Sequence, residues 1–223
     1  MQQSSWQGIK LVFRKELVVG LRFKAAWAAM LMFSLTTLAC VSMALQGGTL
    51  EPRLLAALLW VILFFASLAG ADRVFADEDT AGTLLALRIY GPSQAVLMGK
   101  MLYTFFLMVA LAAFITPLFV LLLDVTVTAP GLLTVALLLG CGGIAAAGTL
   151  IAALTTGASV HGGLFSILML PVILPVFLPA ISLSAAAFGG GDSAGSYLVG
   201  MGLYDLILAV GASLLFDYLW YED

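Results

Sequence analysis

Residues 54–123 read LLAALLWVILFFASLAGADRVFADEDTAGTLLALRIYGPSQAVLMGKMLYTFFLMVALAAFITPLFVLLL, two long apolar runs around a charged middle. Each run is close to the ~20 apolar residues that a helix needs to cross a bilayer. The middle, Asp72 to Lys100, gathers four acids, two arginines and a lysine in a chain that is only 9% charged. A charge at the bilayer centre costs roughly 2.5–3.5 kcal/mol on insertion scales. The middle therefore belongs outside the hydrocarbon, and the stretch reads as span, polar segment, span.

The rest of the chain repeats this alternation. It has 223 residues, 63% of them hydrophobic, and a mean hydropathy of +1.15. A soluble domain is nearer 45–50% apolar with about 25% charge, so the composition excludes one. The predicted fold class is all-α integral membrane: one transmembrane domain over 1–223 with six spans at 25–45, 54–71, 101–123, 132–154, 164–188 and 197–220. From Val125 to Gly191 there is no Asp, Glu, Lys or Arg. That length fits two spans joined by a tight turn at Gly157–Gly163. The first apolar run is longer than the core of a secretory signal and reads as a true span. Cys40 and Cys141 both lie inside apolar runs and are expected to be buried thiols.

Bases set the orientation. Lys10, Arg14, Lys15, Arg22 and Lys24 precede the first span, and Arg73, Arg88 and Lys100 lie between the second and third. The turn at Asp124–Gly131 has no base. The positive-inside rule then puts both termini and residues 72–100 in the cytoplasm. Residues 6–24 form a basic amphipathic helix, either an interfacial elbow in the headgroup layer or an ordinary topology signal. Trp27, Tyr197, Tyr218, Trp220 and Tyr221 are placed near the interfaces.

Within 72–100, helical spacing of Val74, Phe75 and Glu78 lets the second span run on, with Asp77, Glu78 and Asp79 in water. Asp79 or Thr80 can cap a short helix carrying Leu84, Leu85, Leu87 and Ile89. Gly91-Pro92 ends it, and Ser93 can cap the next helix. Such a helix either lies on the membrane or plugs a partner's groove, apolar anchors within a charged rim being the usual anatomy of that contact.

The pattern R-x-F-x-D-x₄-G-[ST]-L-x-x-L…K, met by Arg73, Phe75, Asp77, Gly82, Thr83, Leu84, Leu87 and Lys100, resembles the coupling segment of ABC-2-type exporter permeases. More narrowly, it is similar to the CcmB family, the permease of bacterial cytochrome c maturation. "SILMLPVILPVF" (166–177) is similar to that family's proline run. Leu85 stands where the family often has an acid, and "GASVHGG" (157–163) lacks a basic pair often found there. The resemblance implies an ABC-2-type fold with a cytoplasmic coupling helix, and a chain that pairs with a second copy and with a CcmA-like ATPase. Arg73, Phe75, Asp77, Glu78, Gly82, Thr83, Leu84, Leu87 and Arg88 would face that ATPase. It further implies CcmC-like and CcmD-like membrane subunits, a CcmE-like periplasmic haem chaperone and the bacterial inner membrane. Haem would be handled by the complex, with no cofactor bound by this chain and no nucleic acid involved. A generic ABC-2 exporter of a lipid, glycan or drug is the alternative.

The chain offers no ATP site of its own. Met101 follows Gly99-Lys100 where a Ser or Thr is needed, and Gln94 stands at the first glycine of the motif. "GCGG" (140–143) lies mid-span and reads as close helix packing through Gly142/Ala146 and Gly143/Ala147. His161, the one histidine, reads as a turn residue rather than a haem ligand. Pro171, Pro175 and Pro179 suggest a broken fifth span at the subunit core or periplasmic side. Asp205 is an acid about two turns into the last span, either at interfacial depth or facing the bundle interior as a functional group.

Overall fold

The computed structural model describes residues 5–22, 24–71, 75, 78, 82, 83, 87, 91–155, 163–191 and 194–221. Seven long helices are present among the described residues: α1 (Ser5–Arg22), α2 (Ala25–Leu45), α3 (Pro52–Ala71), α4 (Ser93–Leu122), α5 (Pro130–Thr155), α6 (Gly163–Ala187) and α7 (Ala194–Tyr221). The last six are long and apolar enough to span a membrane. Their outer surface carries large side chains such as Met43, Leu121, Ile167, Leu178 and Leu214, each at least two-thirds exposed. A belt of this kind is stable only against lipid or another apolar surface. The chain is a multi-pass membrane protein.

Local chemistry sets the helix ends. Three helix ends share one device, a left-handed residue followed by a backbone bond back to the last turn. Asp124 (φ 51°) and Gly189 (φ 95°) end α4 and α6, closed by Val125 N–H to Val120 O at 3.0 Å and Gly190 N–H to Ala185 O at 2.9 Å. Gly82 (φ 66°) does the same for the turn holding Glu78, closed by Thr83 N–H to Glu78 O at 3.0 Å. The start of α4 departs from expectation. It begins at Ser93, with extended Pro92 rather than Ser93 as its N-cap. Ser93 does not cap it; its hydroxyl donates to Asp217 of α7.

α3 and α5 form the centre, whereas α2 and α7 keep most of their surface outward. Trp60 of α3 is fully buried. Its indole N–H donates to Ser184 of α6 at 3.0 Å, and its ring lies so close to Gly140 of α5 that any Cβ there would overlap it. Gly143 is likewise pressed against Val176 and Asp205. "GCGG" thus packs helices, as its composition suggested, but against α3, α6 and α7.

Four expectations are corrected. Cys40 is exposed on α2, and only Cys141 is buried. Trp220 is buried rather than part of an interfacial belt. α6 is one unbroken helix through all three prolines, and Pro171 and Pro175 are exposed on it. A four-residue spacing keeps the three missing N–H groups on one face, so the ladder on the inner face is intact. α7 supports it there: Tyr204 donates to Val172 O at 2.8 Å. Tyr204→Phe is expected to cost about 1 kcal/mol, read as a modest fall in melting temperature in detergent. Finally, α7 starts three residues earlier than expected, which sets Asp205 about 16 Å from that end. Asp205 thus lies close to the middle of α7.

Loops 123–129 and 187–191 share one end of the bundle, where Thr128 and Ala129 N–H groups both meet Ala187 O. Gly190 approaches Pro52 there too. α1, the described part of 72–91 and the end of α7 occupy the other end.

Candidate functional site

The charged end is built on α1. Its outward side carries Lys10, Arg14, Lys15 and Arg22 beside exposed Trp6, Leu11, Val18 and Leu21. Its inward side carries Val12, Phe13 and Leu17, packed against the core, and one acid, Glu16, only 8% exposed. α1 lies close along the first turns of α4 because Gly99 leaves room for Val12; a Cβ at Gly99 would be 2.6 Å from Val12 Cβ.

That approach brings Glu16 to Lys100, which is fully buried on α4. Lys100 Nζ lies 2.8 Å from Glu16 Oε1 and 2.7 Å from Glu78 Oε2. Lys15 Nζ donates to Glu16 Oε1 at 3.0 Å and also to Glu78 Oε1. The Phe75 ring covers Lys100 Nζ, 4.6 Å from its centroid, a cation–π contact that strengthens when desolvated. Two lysines and two glutamates thereby tie α1, α4 and the 72–91 segment together. Burial lowers the Lys15 pKa, but its hydrogen bond to Glu78 and the Glu16 and Glu78 charges outweigh this and hold it above the ordinary 10.5. A raised lysine stabilises fully below its unfolded pKa and loses that only as pH climbs through the folded one. This contribution is expected to stay flat from pH 7 to about 9 in thermal melts.

A second fastening runs to α7. Phe75 packs on Phe216 with centroids 5.8 Å apart, and Phe216 on Trp220 at 4.9 Å. The Trp220 indole N–H reaches Gly91 O at 3.3 Å. Asp217 accepts from Ser93 and, at 3.2 Å, from Gln94. Leu87 is half-buried against the core, in helical register with its neighbours: its N–H meets Thr83 O at 3.0 Å, and Gly91 N–H meets Leu87 O at 2.8 Å. Gly82 and Thr83 are exposed.

The expected site residues thus divide. Phe75 and Glu78 come together with Lys100, but facing inward. Glu78 is 7% exposed, which corrects its placement in water: three residues apart on a helix, Phe75 and Glu78 share one face, and that face turns to α4. Leu87 also faces its own chain. Gly82 and Thr83 form an outward tip. Arg73, Asp77, Leu84, Arg88 and His161 lie outside the described residues. Pro171, Pro175 and Asp205 belong elsewhere in the fold.

Sequence reasoning did not find Glu16, Lys15, Phe216, Asp217 and Trp220. One signal was available for Glu16. It lies four residues from Val12 on the apolar stripe of an otherwise basic helix, where an acid is stable only with a buried cation.

Comparison with known families gives one match: the family model described as CcmB protein covers residues 7–214. No curated protein matches the chain.

Proposed function

The chain belongs to the CcmB family, the haem-exporter permease subunits of ABC transporters in cytochrome c maturation, and we propose on that premise that residues 72–91 couple it to a separate ATPase subunit. The observation that carries this reading is the segment's two-sidedness. Phe75, Glu78 and Leu87 are fastened inward, while Gly82 and Thr83 are exposed.

A partner holding the outward tip would act on three helices at once. Glu78 passes a displacement to α4 through Lys100 and to α1 through Lys15. Phe75 passes it to α7 through Phe216. Buried ion pairs and stacked rings have few alternative geometries, so closure of an ATPase dimer would rock these helices rather than deform the loop. The chain itself supplies no hydrolytic group in this scheme; haem is the cargo of the complex.

In this reading the basic end is cytoplasmic, the membrane is the bacterial inner membrane and a second copy completes the permease. CcmC-like and CcmD-like subunits and a CcmE-like chaperone are the further partners. The exposed bases of α1 beside Trp6, Leu11 and Val18 suit the anionic headgroup layer. Leu84→Asp is expected to abolish co-purification with the adjacent ATPase and leave membrane insertion intact. Undiminished co-purification would contradict the coupling role.

A further inference from the structure

Asp205 takes no part in the charged end. Both of its carboxyl oxygens are enclosed, with no hydrogen-bond partner among the described residues. Asp205 also lines a cavity of about 330 Å³ between α4, α5 and α7, bordered by Met101, Phe105, Ala145, Ala146 and Gly202. Leu102 and Leu206, at the same cavity, belong to the exposed apolar belt, Leu102 being 43% and Leu206 60% exposed. By helix rise the carboxyl sits about 18 Å from Asp217 at the charged end and about 16 Å from the opposite start of α7.

An ionisable group at that depth is costly without a partner. Gly142 and Gly202, both partly exposed, leave the α5–α7 surface low, the relief that lets a further helix approach closely. The cavity is at the small end of ligand pockets and suits one long side chain entering from a neighbouring helix. Two sources of a donor fail on position. Lipid amines sit in the headgroup layer. The six spans of this chain contain only Arg53, at the start of α3, and Lys100, and Lys100 is fully buried. A second copy therefore offers no cation at this depth.

We propose that the groove between α4, α5 and α7 seats a transmembrane helix of a different membrane protein, whose Lys, Arg or His side chain enters the cavity and pairs with Asp205. The proposal rests on the reading of the chain as one subunit of a multi-protein membrane complex, and it names the face that a non-ATPase subunit occupies. Such a contact is a charge-assisted hydrogen bond in low dielectric, where loss of one partner is felt strongly.

The test uses the full chain in native membranes with its neighbouring subunits, carrying a benzophenone amino acid at position 102 or 206. Irradiation is expected to give an adduct with another membrane protein. The linked peptide should lie in an apolar stretch of about 20 residues containing Lys, Arg or His. Asp205→Leu should lower adduct yield about tenfold or more, the change worth about 1.4 kcal/mol, and Asp205→Asn should lower it as well. Asp205→Lys combined with an acid in place of the partner's cation should restore it. Adducts with lipid or a second copy alone, or a yield indifferent to Asp205→Leu and Asp205→Asn, would overturn the proposal. ATPase co-purification is followed in the same membranes. If it persists while no foreign helix is captured, the groove assignment fails and the coupling reading stands.

Discussion

Replacing Lys100 with methionine is expected to cost about 3–5 kcal/mol, the scale found when one partner of a buried ion pair is removed. Lys100 is fully buried and is the shared partner of Glu16 and Glu78. Methionine keeps most of the volume, so the loss is electrostatic. It leaves two carboxylates in a poorly solvated site facing each other, with Lys15, which is itself 42% exposed at its side chain, as their remaining described cation. In detergent the variant should melt at a clearly lower temperature, and the 72–91 segment should become protease-sensitive first. Adding Glu16→Gln and Glu78→Gln should recover part of the loss, because a site without charge no longer needs the cation. A triple variant as unstable as Lys100→Met would show that the aliphatic stem, rather than the charge, carries the effect.

The second large effect is steric. Gly140→Val is expected to destabilise the bundle by about 1–3 kcal/mol or more, the scale of overpacking in a dense core. The Trp60 ring occupies the place of the missing Cβ, and it cannot retreat freely. Its N–H is held by Ser184, and Phe177 sits 6.2 Å from it. Combining Gly140→Val with Trp60→Leu should be less damaging than the sum of the two single changes. Thermal melts of the four proteins check this; strict additivity would mean that the two residues do not oppose one another.

Most of the architecture was legible because span length and charge exclusion are strong, local constraints. Six apolar runs gave six spans, and an acid such as Asp124 or a glycine cluster such as Gly189–Gly191 marked the breaks. The errors at the charged end have one physical origin. Lys100 reads as the end of the polar segment, with the third span starting at Met101, yet it is fully buried on α4. A charge neutralised by partners from other helices need not leave the bundle, and those partners are remote in sequence. Glu78 was misplaced for the same reason: its face depends on where α4 lies. Helical periodicity through three prolines survived because their shared face left the inner ladder untouched. Asp205 is recognisable as an acid in a span, but its place near the middle of α7 follows only from where that helix begins. The inward pairing of Phe75 with Phe216 of α7 carries no local signature at all.

The most direct measurement places a photo-crosslinking amino acid at position 83, the exposed tip beside Gly82, in membranes that also hold the adjacent ATPase subunit. Thr83 is exposed, so the account predicts a covalent adduct with the ATPase that is strongly reduced in the Lys100→Met background. Adducts with lipid alone, or an ATPase adduct indifferent to Lys100→Met, would contradict it.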